Sequence, residues 1–456
     1  MTDLRREREE VEALASWLLD RAVSYSEVTG ADVLYFFSES HSLSLLDGAP
    51  EENSSGVSGG IGLRLIGEGG RQGVAYGNNF SRGAMNNMLD WSRANCLASE
   101  PEEGITLYSG PIAEDLDLDQ YDASVAVAVT PEMRMNACLE MTREARARDP
   151  RIVSVRSASW GDGVGESFYA STAGVCGWKR ATSISCGTAV VLQDGESFEM
   201  GAYGKGERHL EDVDFLSYAA QAVDKTTRIL GGKPLKTGKY TLLLDPEVSA
   251  SLIDEIGELF CASDVHRGRS LMKGKLGTRI AGKAVTLVDD ARLPRRLGSS
   301  SFDGEGAPTG RTVLIESGAA SSYLYNLQYA AKDGVASTGN ASRSLSSLPD
   351  VGTSNLILSP GAESADSLLR GTENGFWVLE LMGLHTLNPV SGDFSLGAKG
   401  LHVKNGVPGA PVAGVTISGN LLDMLQKITA VGSDLEFFGS SGASTVVVED
   451  VAVAGN

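Results

Sequence analysis

The chain holds five histidines, His41, His209, His266, His385 and His402, and no two stand at the spacing of a helical HExxH or HExxxH zinc motif. Imidazole and carboxylate are suitable zinc ligands, so a composite site can be drawn from His385, Asp393 and His402. Histidines held by ordinary structural hydrogen bonds are the alternative. Gly56-Val57-Ser58-Gly59-Gly60 satisfies G-x-S-x-G. A nucleophile elbow needs a strand before the serine and a helix after it. Here a Ser/Gly run precedes and a strand-like stretch, 61–66, follows, so a flexible loop is expected. Residues 277–283 approach a P-loop, but Ala284 stands where the magnesium-holding Ser or Thr belongs and a strand follows, which excludes that nucleotide site. Gly161-Asp162-Gly163-Val164-Gly165 reads as a turn.

Two further stretches carry chemistry-bearing side chains. Residues 266–296 hold nine Lys/Arg against two Asp inside an acidic protein. Such a segment could steer an acidic partner, or be a solvated loop. Tyr323, Tyr325 and Tyr329 precede a small-residue stretch, 337–343. Aromatics beside a glycine-rich edge could hold an extended peptide by strand addition, and sheet packing explains them equally well.

The elements that must position these residues are legible as patterns. Val11, Leu14 and Leu18 give a helical face over 3–24. Residues 33–37 are a buried strand, 63–66 and 73–76 a hairpin around Glu68-Gly69-Gly70, and 81–97 a helix. The acidic stretch 100–120 is a linker. Thr130-Pro131 is a helix start, a cap hydroxyl followed by proline at the first helical position, and that helix ends before Asp149-Pro150. Residues 151–207 form an antiparallel meander and 212–230 a helix. In the second half, 240–244, 284–288, 312–316, 376–381, 412–417 and 445–453 are strands, while 246–260 and 421–428 are helices. The expected class is α+β: an N-terminal mixed α/β domain (1–105), a central α+β domain with a β-meander (120–232) and a largely antiparallel, β-rich C-terminal domain (233–456).

Composition narrows the function. The 456 residues carry 39 Lys+Arg against 59 Asp+Glu, a net charge of −20, so direct DNA or anionic-membrane binding is disfavoured. Fifty-five glycines with 14 prolines indicate many turns and bulges between strands. Five scattered cysteines without CxxC spacing argue against a disulfide framework or thiolate zinc site and fit a reducing compartment. No secretory h-region and no apolar stretch of membrane-spanning length is visible, so a cytoplasmic protein is expected.

Several long strings resemble the TldD/PmbA family, historically named modulators of DNA gyrase and classed as peptidase family U62. They are Phe302-Asp-Gly-Glu-Gly-Ala-Pro-Thr-Gly-Arg-Thr-Val-Leu-Ile-Glu316, Ser337-Thr-Gly-Asn-Ala-Ser-Arg343, the run from Glu380 to Ala398, Gly414-Val-Thr-Ile-Ser-Gly-Asn420 and Val431-Gly-Ser-Asp-Leu435. The resemblance implies a heteromeric zinc protease acting on unfolded peptides, implicated in maturing a microcin precursor and degrading a labile antitoxin. TldD-type chains carry a helical HExxxH and a C-terminal cysteine ligand. Here the two histidine positions fall on Asp254 and Leu259, Glu255 keeps the general-base carboxylate, and no cysteine follows Leu435. Leucine cannot coordinate zinc. Water without zinc keeps a pKa near ~15.7 instead of ~7, so Glu255 is expected to be silent.

The chain is therefore similar to the PmbA-type subunit, also called TldE. It is expected to bind no metal itself, the zinc being supplied by a TldD-type partner, and to contact unfolded peptide substrates. In isolation it is expected to form a homodimer. The family motifs nominate Asn340, Arg343, His385, Asn388 and Asp393 for substrate or partner contact, with turn and strand-edge stabilisation as their alternative role. Two other functions stay open: a self-sufficient hydrolase using His385, Asp393 and His402, and a non-proteolytic regulator of gyrase or toxin–antitoxin systems.

Overall fold

The computed structural model describes residues 4–112 and 117–456; part of the expected linker, 113–116, lies outside the described residues. The N-terminal apolar face folds into α1 (Arg8–Ala22), which buries Val11, Ala15, Leu18 and Leu19. Next come β1 (Val28–Leu46), β2 (Ala49–Gly67), β3 (Gln72–Gly77), α2 (Arg82–Ala98), α3 (Ala123–Ala128) and α4 (Pro131–Arg148). Thr130 caps α4 as its sequence signature requires, its hydroxyl accepting from Met133 N–H at 3.2 Å. The meander is β4 (Ile152–Ser171), β5 (Cys176–Asp194) and β6 (Ser197–Glu207), followed by α5 (Phe215–Ile229).

These six strands form one antiparallel sheet ordered β3-β2-β1-β4-β5-β6, so the segments expected as separate N-terminal and central units share a single sheet. Strand alternation sorts its residues cleanly. Val33, Tyr35, Leu43, Trp160, Phe168, Ile184 and Val190 face the cores built with the four larger helices α1, α2, α4 and α5. Asp32, Leu34, Arg64 and Tyr169 point to the other face. The strands run far beyond the expected 33–37 because backbone pairing continues where side chains turn polar. The G-x-S-x-G segment is part of this extension: Ser58 sits in β2 opposite Ser38 of β1, not in a flexible loop. No helix follows it, and a nucleophile elbow is absent there.

The second half contains β7 (Gly238–Leu244), α6 (Pro246–Glu258), α7 (Ala262–His266), β8 (Leu287–Asp290), β9 (Arg311–Glu316), β10 (Ala319–Ala320) and α8 (Leu327–Asp333). Then follow β11 (Ala341–Ser342), β12 (Asp350–Val351), β13 (Leu356–Leu358), α9 (Ala365–Arg370), β14 (Asn374–Met382), β15 (Asp393–Lys404) and β16 (Val407–Asn420). The chain ends with α10 (Leu421–Gln426), β17 (Ile428–Val431), β18 (Glu436–Phe438), β19 (Ser441–Ala443) and β20 (Val446–Ala454). One sheet is ordered β16-β15-β14-β7-β20-β17, and an added β16–β20 pairing closes five of these strands into a ring. A second sheet is ordered β10-β9-β8-β13-β19-β18. Helix α6 lies between them, and its Leu252, Ile253 and Ile256 belong to the continuous core that both sheets share. The fold is α+β.

A buried ionic cluster ties the halves together. Asp32 and Arg64 are direct cross-strand neighbours on the face of the first sheet away from the helices. The Asp32 carboxylate accepts from Arg64 on one oxygen and from Arg343, of the second half, on the other. Arg64 also reaches Gln72 at 3.1 Å and Glu305 at 3.4 Å. All four charged side chains are almost fully enclosed. The two guanidinium groups hold the Asp32 carboxyl below its usual range despite burial. Glu305 faces the opposite balance: burial outweighs Arg64 and pushes it up to about 7.

Removing a guanidinium leaves the Asp32 carboxylate buried without full compensation. Arg343→Ala should therefore cost about 3–5 kcal/mol in denaturant unfolding. Glu305 titrates near 4.5 when unfolded and near 7 when folded, so its contribution is intact at low pH and is lost as pH rises through about 7. Glu305→Gln should abolish that slope and leave the variant more stable than the parent at pH 8 by roughly 2–3 kcal/mol. Unfolding curves at pH 5, 7 and 8 check the sign.

Candidate functional site

Helix α6 begins where β7 runs out. Asp245 caps it, accepting from Glu247 N–H at 3.3 Å, and Pro246 fills the first turn. Lys225 of α5 binds both Asp245 (2.8 Å) and Glu247 (2.6 Å), which locks this end against the first half. Beside it, a cavity of about 340 Å³ is lined by Met200, Ala202, Lys225, Glu247, Ser251 and Leu384.

The outward face of α6 is acidic. Asp254 and Glu258, one turn apart, are exposed, and Glu255 is half-buried. Asp254 accepts from the Ser441 hydroxyl, and Glu258 accepts from Thr353 at 3.2 Å. Desolvation by the surrounding sheets raises all three carboxyls. Asp254 adds a like-charge push on Glu255, while His385 pulls it the other way. Position 259 points elsewhere. Five residues of α-helix turn it about 140° from position 254, and Leu259 is 4% exposed within the core shared by both sheets.

The other nominated residues separate into three places. Asn340 is buried and bonds Asp289 (2.9 Å), the Gly352 carbonyl (3.1 Å) and Thr338 (2.7 Å). Arg343 lies in the ionic cluster and also donates to the Ser347 carbonyl. Asn388 and Asp393 shape one exposed turn: Asn388 accepts from Val390 and Ser391 N–H, and Asp393 accepts from Ser391 and Asn420 side chains. Of the nominated residues, His385, exposed in a short 3₁₀ turn beside Leu384, is the one that acts on an α6 carboxylate, Glu255.

The composite zinc site is not assembled. Asp393 and His402 both lie on β15, nine residues and roughly 30 Å apart. His402 instead contacts Asn374 at 3.2 Å and stacks edge-on to Tyr240. Among the described residues no three His, Cys, Asp or Glu side chains come together as a metal-holding group. Tyr323 and Tyr325 are buried, their hydroxyls spent on the Met272 carbonyl and on Asp333. The basic segment is anchored at both ends by Arg267–Asp350 and by Arg295 with Asp119 and Glu211. Sequence reading missed the raised Glu258 and its partner Thr353; the i, i+4 spacing from Asp254 was the available signal.

The chain thus consists of a long antiparallel sheet backed by helices, followed by a β-ring that packs one acidic helix against a second sheet. Family models match three consecutive parts of it, described as PmbA/TldA metallopeptidase domain 1 (31–96), central domain (126–230) and C-terminal domain (237–455). The chain belongs to the PmbA/TldD family. An uncharacterized protein of Methanocaldococcus jannaschii is 30% identical across 94% of this chain and 98% of its own length. The metalloprotease PmbA of Escherichia coli O157:H7 is 25% identical, covering 100% and 98%. A crystal structure from Thermotoga maritima, titled a putative modulator of a DNA gyrase, superposes with a TM-score of 0.90 at 25% identity, covering 97% of this chain and 100% of that one.

Histidines placed at both family positions should not rebuild a metal site here. Asp254→His combined with Leu259→His should lose about 2–4 kcal/mol of stability, because the second imidazole enters an apolar core. Elemental analysis of the double variant should find zinc well below one per chain; a full equivalent would refute the orientation of position 259.

Proposed function

We propose that this chain is the non-catalytic, metal-free subunit of a heteromeric PmbA/TldD-type peptidase. A TldD-type partner supplies the zinc, and the complex acts on unfolded peptides. The observation that carries the reading is Leu259. It occupies the second ligand position and faces the core, so the residues present do not fit a zinc ion. At the first position, Asp254 is committed to Ser441. Glu255 keeps the general-base position, and with no metal-bound water to deprotonate, its carboxylate has nothing to activate.

Surface features support a pairing role. Phe198 and Met200 on edge strand β6, with Met382 on β14, are 61%, 58% and 41% exposed. Met200 lines the cavity next to α6. Adaptable apolar side chains beside a strand with one unpaired edge suit an extended peptide or a partner subunit. We further propose that the isolated chain covers this surface by self-association and that it works in the cytoplasm. Five unpaired cysteines, four of them buried, fit a reducing compartment. No helix among the described residues is long and apolar enough to cross a membrane.

The self-sufficient hydrolase loses its site with the separation of Asp393 from His402. Purified alone, the protein should contain no stoichiometric zinc and should leave unfolded peptides intact. Mixed with a TldD-type chain it should yield a peptidase whose activity survives Glu255→Gln in this subunit. Stoichiometric zinc with peptidase activity in the isolated chain would defeat the proposal.

A further inference from the structure

The face of the first sheet turned away from its helices is roofed by the segment 297–304 and encloses two adjoining cavities of about 750 and 670 Å³. They share Phe36, Ser167 and Lys179 as lining. Lys179 Nζ donates to Ser300 Oγ and to the Phe302 carbonyl, both at 3.1 Å, and lies 4.3 Å above the Phe302 ring. Arg208, on the wall of the larger cavity, donates to the Thr182 carbonyl at 2.7 Å and to the Leu297 carbonyl. Its buried Nε–H has no acceptor. The two cations thus clamp opposite ends of the roof through neutral oxygens. Among the described residues neither has a carboxylate within ion-pair distance.

Asp303, beyond ion-pair distance, only partly offsets the Lys179 charge, and neutral carbonyls satisfy the N–H groups of both cations without compensating their charge. Desolvation accordingly lowers both groups, Lys179 to about 8. Two such charges on one cavity of ligand-binding size call for an anionic occupant. The charge of that occupant is limited. Asp117, Asp119 and Glu166 also line the cavity, which disfavours a dianion. Asp119 is already paired with Arg295, and Glu166 with Arg180.

We propose that this cleft, centred on Lys179 and Arg208, is a binding site for a singly charged carboxylate, either the C-terminus of a peptide or a small free acid. Ser38, Ser40 and Ser301 supply hydroxyl donors along the walls, and Phe36 apolar contact. None of the lining residues belongs to α6 or its cavity. The site is therefore independent of the subunit role proposed above, and either can fail alone.

The test is calorimetric titration of the full chain at pH 7 with trialanine, trialanine amide and acetate. Trialanine should bind, and its amide should bind at least about ten-fold more weakly, the loss of one charge-assisted hydrogen bond. Acetate binding as tightly as trialanine assigns the site to small acids; much weaker acetate binding assigns it to chain termini. Lys179→Met should weaken trialanine by roughly ten-fold, while Lys179→Arg, which keeps the charge and guards against a folding defect, should retain it. As pH rises through about 8 the wild-type affinity should fall with loss of the ammonium charge, and the Lys179→Arg affinity should not. Asp303 on the roof is the carboxylate that acts on this amine from a neighbouring element. Equal binding of acid and amide, unchanged binding by Lys179→Met, or no carboxylate bound at millimolar concentration would overturn the proposal.

Discussion

One carboxylate with two guanidinium partners organises the molecule. Asp32 lies in β1, Arg64 stands opposite it in β2, and Arg343 arrives from 311 residues away. None of the three can be solvated, so each is stable only while the other two are present. Docking of the second half onto the first is thereby all-or-none: a small displacement leaves charges buried and unpaired. Apolar contact alone would tolerate sliding. The cluster fixes register, and Glu305, held by Arg64 and by the Leu327 N–H at 3.0 Å, extends it to α8.

That fixed register places α6. Its inner face is closed by strands of two sheets, and its first turn is tied by Lys225 to α5. The helix is consequently rigid, and its outer face presents whatever residues stand at 254, 255 and 258. In this chain those are three carboxylates, two of which, Asp254 and Glu258, have hydroxyl partners. Desolvation by the surrounding sheets raises all three, and Asp254 adds a like-charge push on Glu255.

Much of this was readable in advance because it rests on local rules. The Thr130-Pro131 start, the hairpin around Glu68-Gly69-Gly70 and the alternation of the meander each reflect constraints within a few residues. The extent of β1 and β2 was not, since the Ser/Gly-rich half of β2 has no apolar period; its pairing with β1 is carried by backbone groups that every residue possesses. The roles of Asn340 and Arg343 were equally opaque. Both are polar residues in a family motif, a description that fits substrate contact and internal tethering alike. Only the third dimension shows their partners, Asp289 and Asp32, to be buried within the protein.

The two positions that the family resemblance aligns with zinc ligands differ in their surroundings. Position 254 is exposed and accepts any residue that tolerates water, and Asp254 has a hydroxyl partner there. A position turned to the core is under opposite pressure: without the ion, a buried imidazole is an unsatisfied polar group, and an aliphatic side chain of similar size removes that cost. Leu259 fills the space with ordinary core packing. Building a metal site here would require moving the end of α6, not merely exchanging side chains. The tie of that helix to two sheets and to Lys225 is what resists the movement, so the stability of the scaffold and the silence proposed for its peptidase position have the same physical origin.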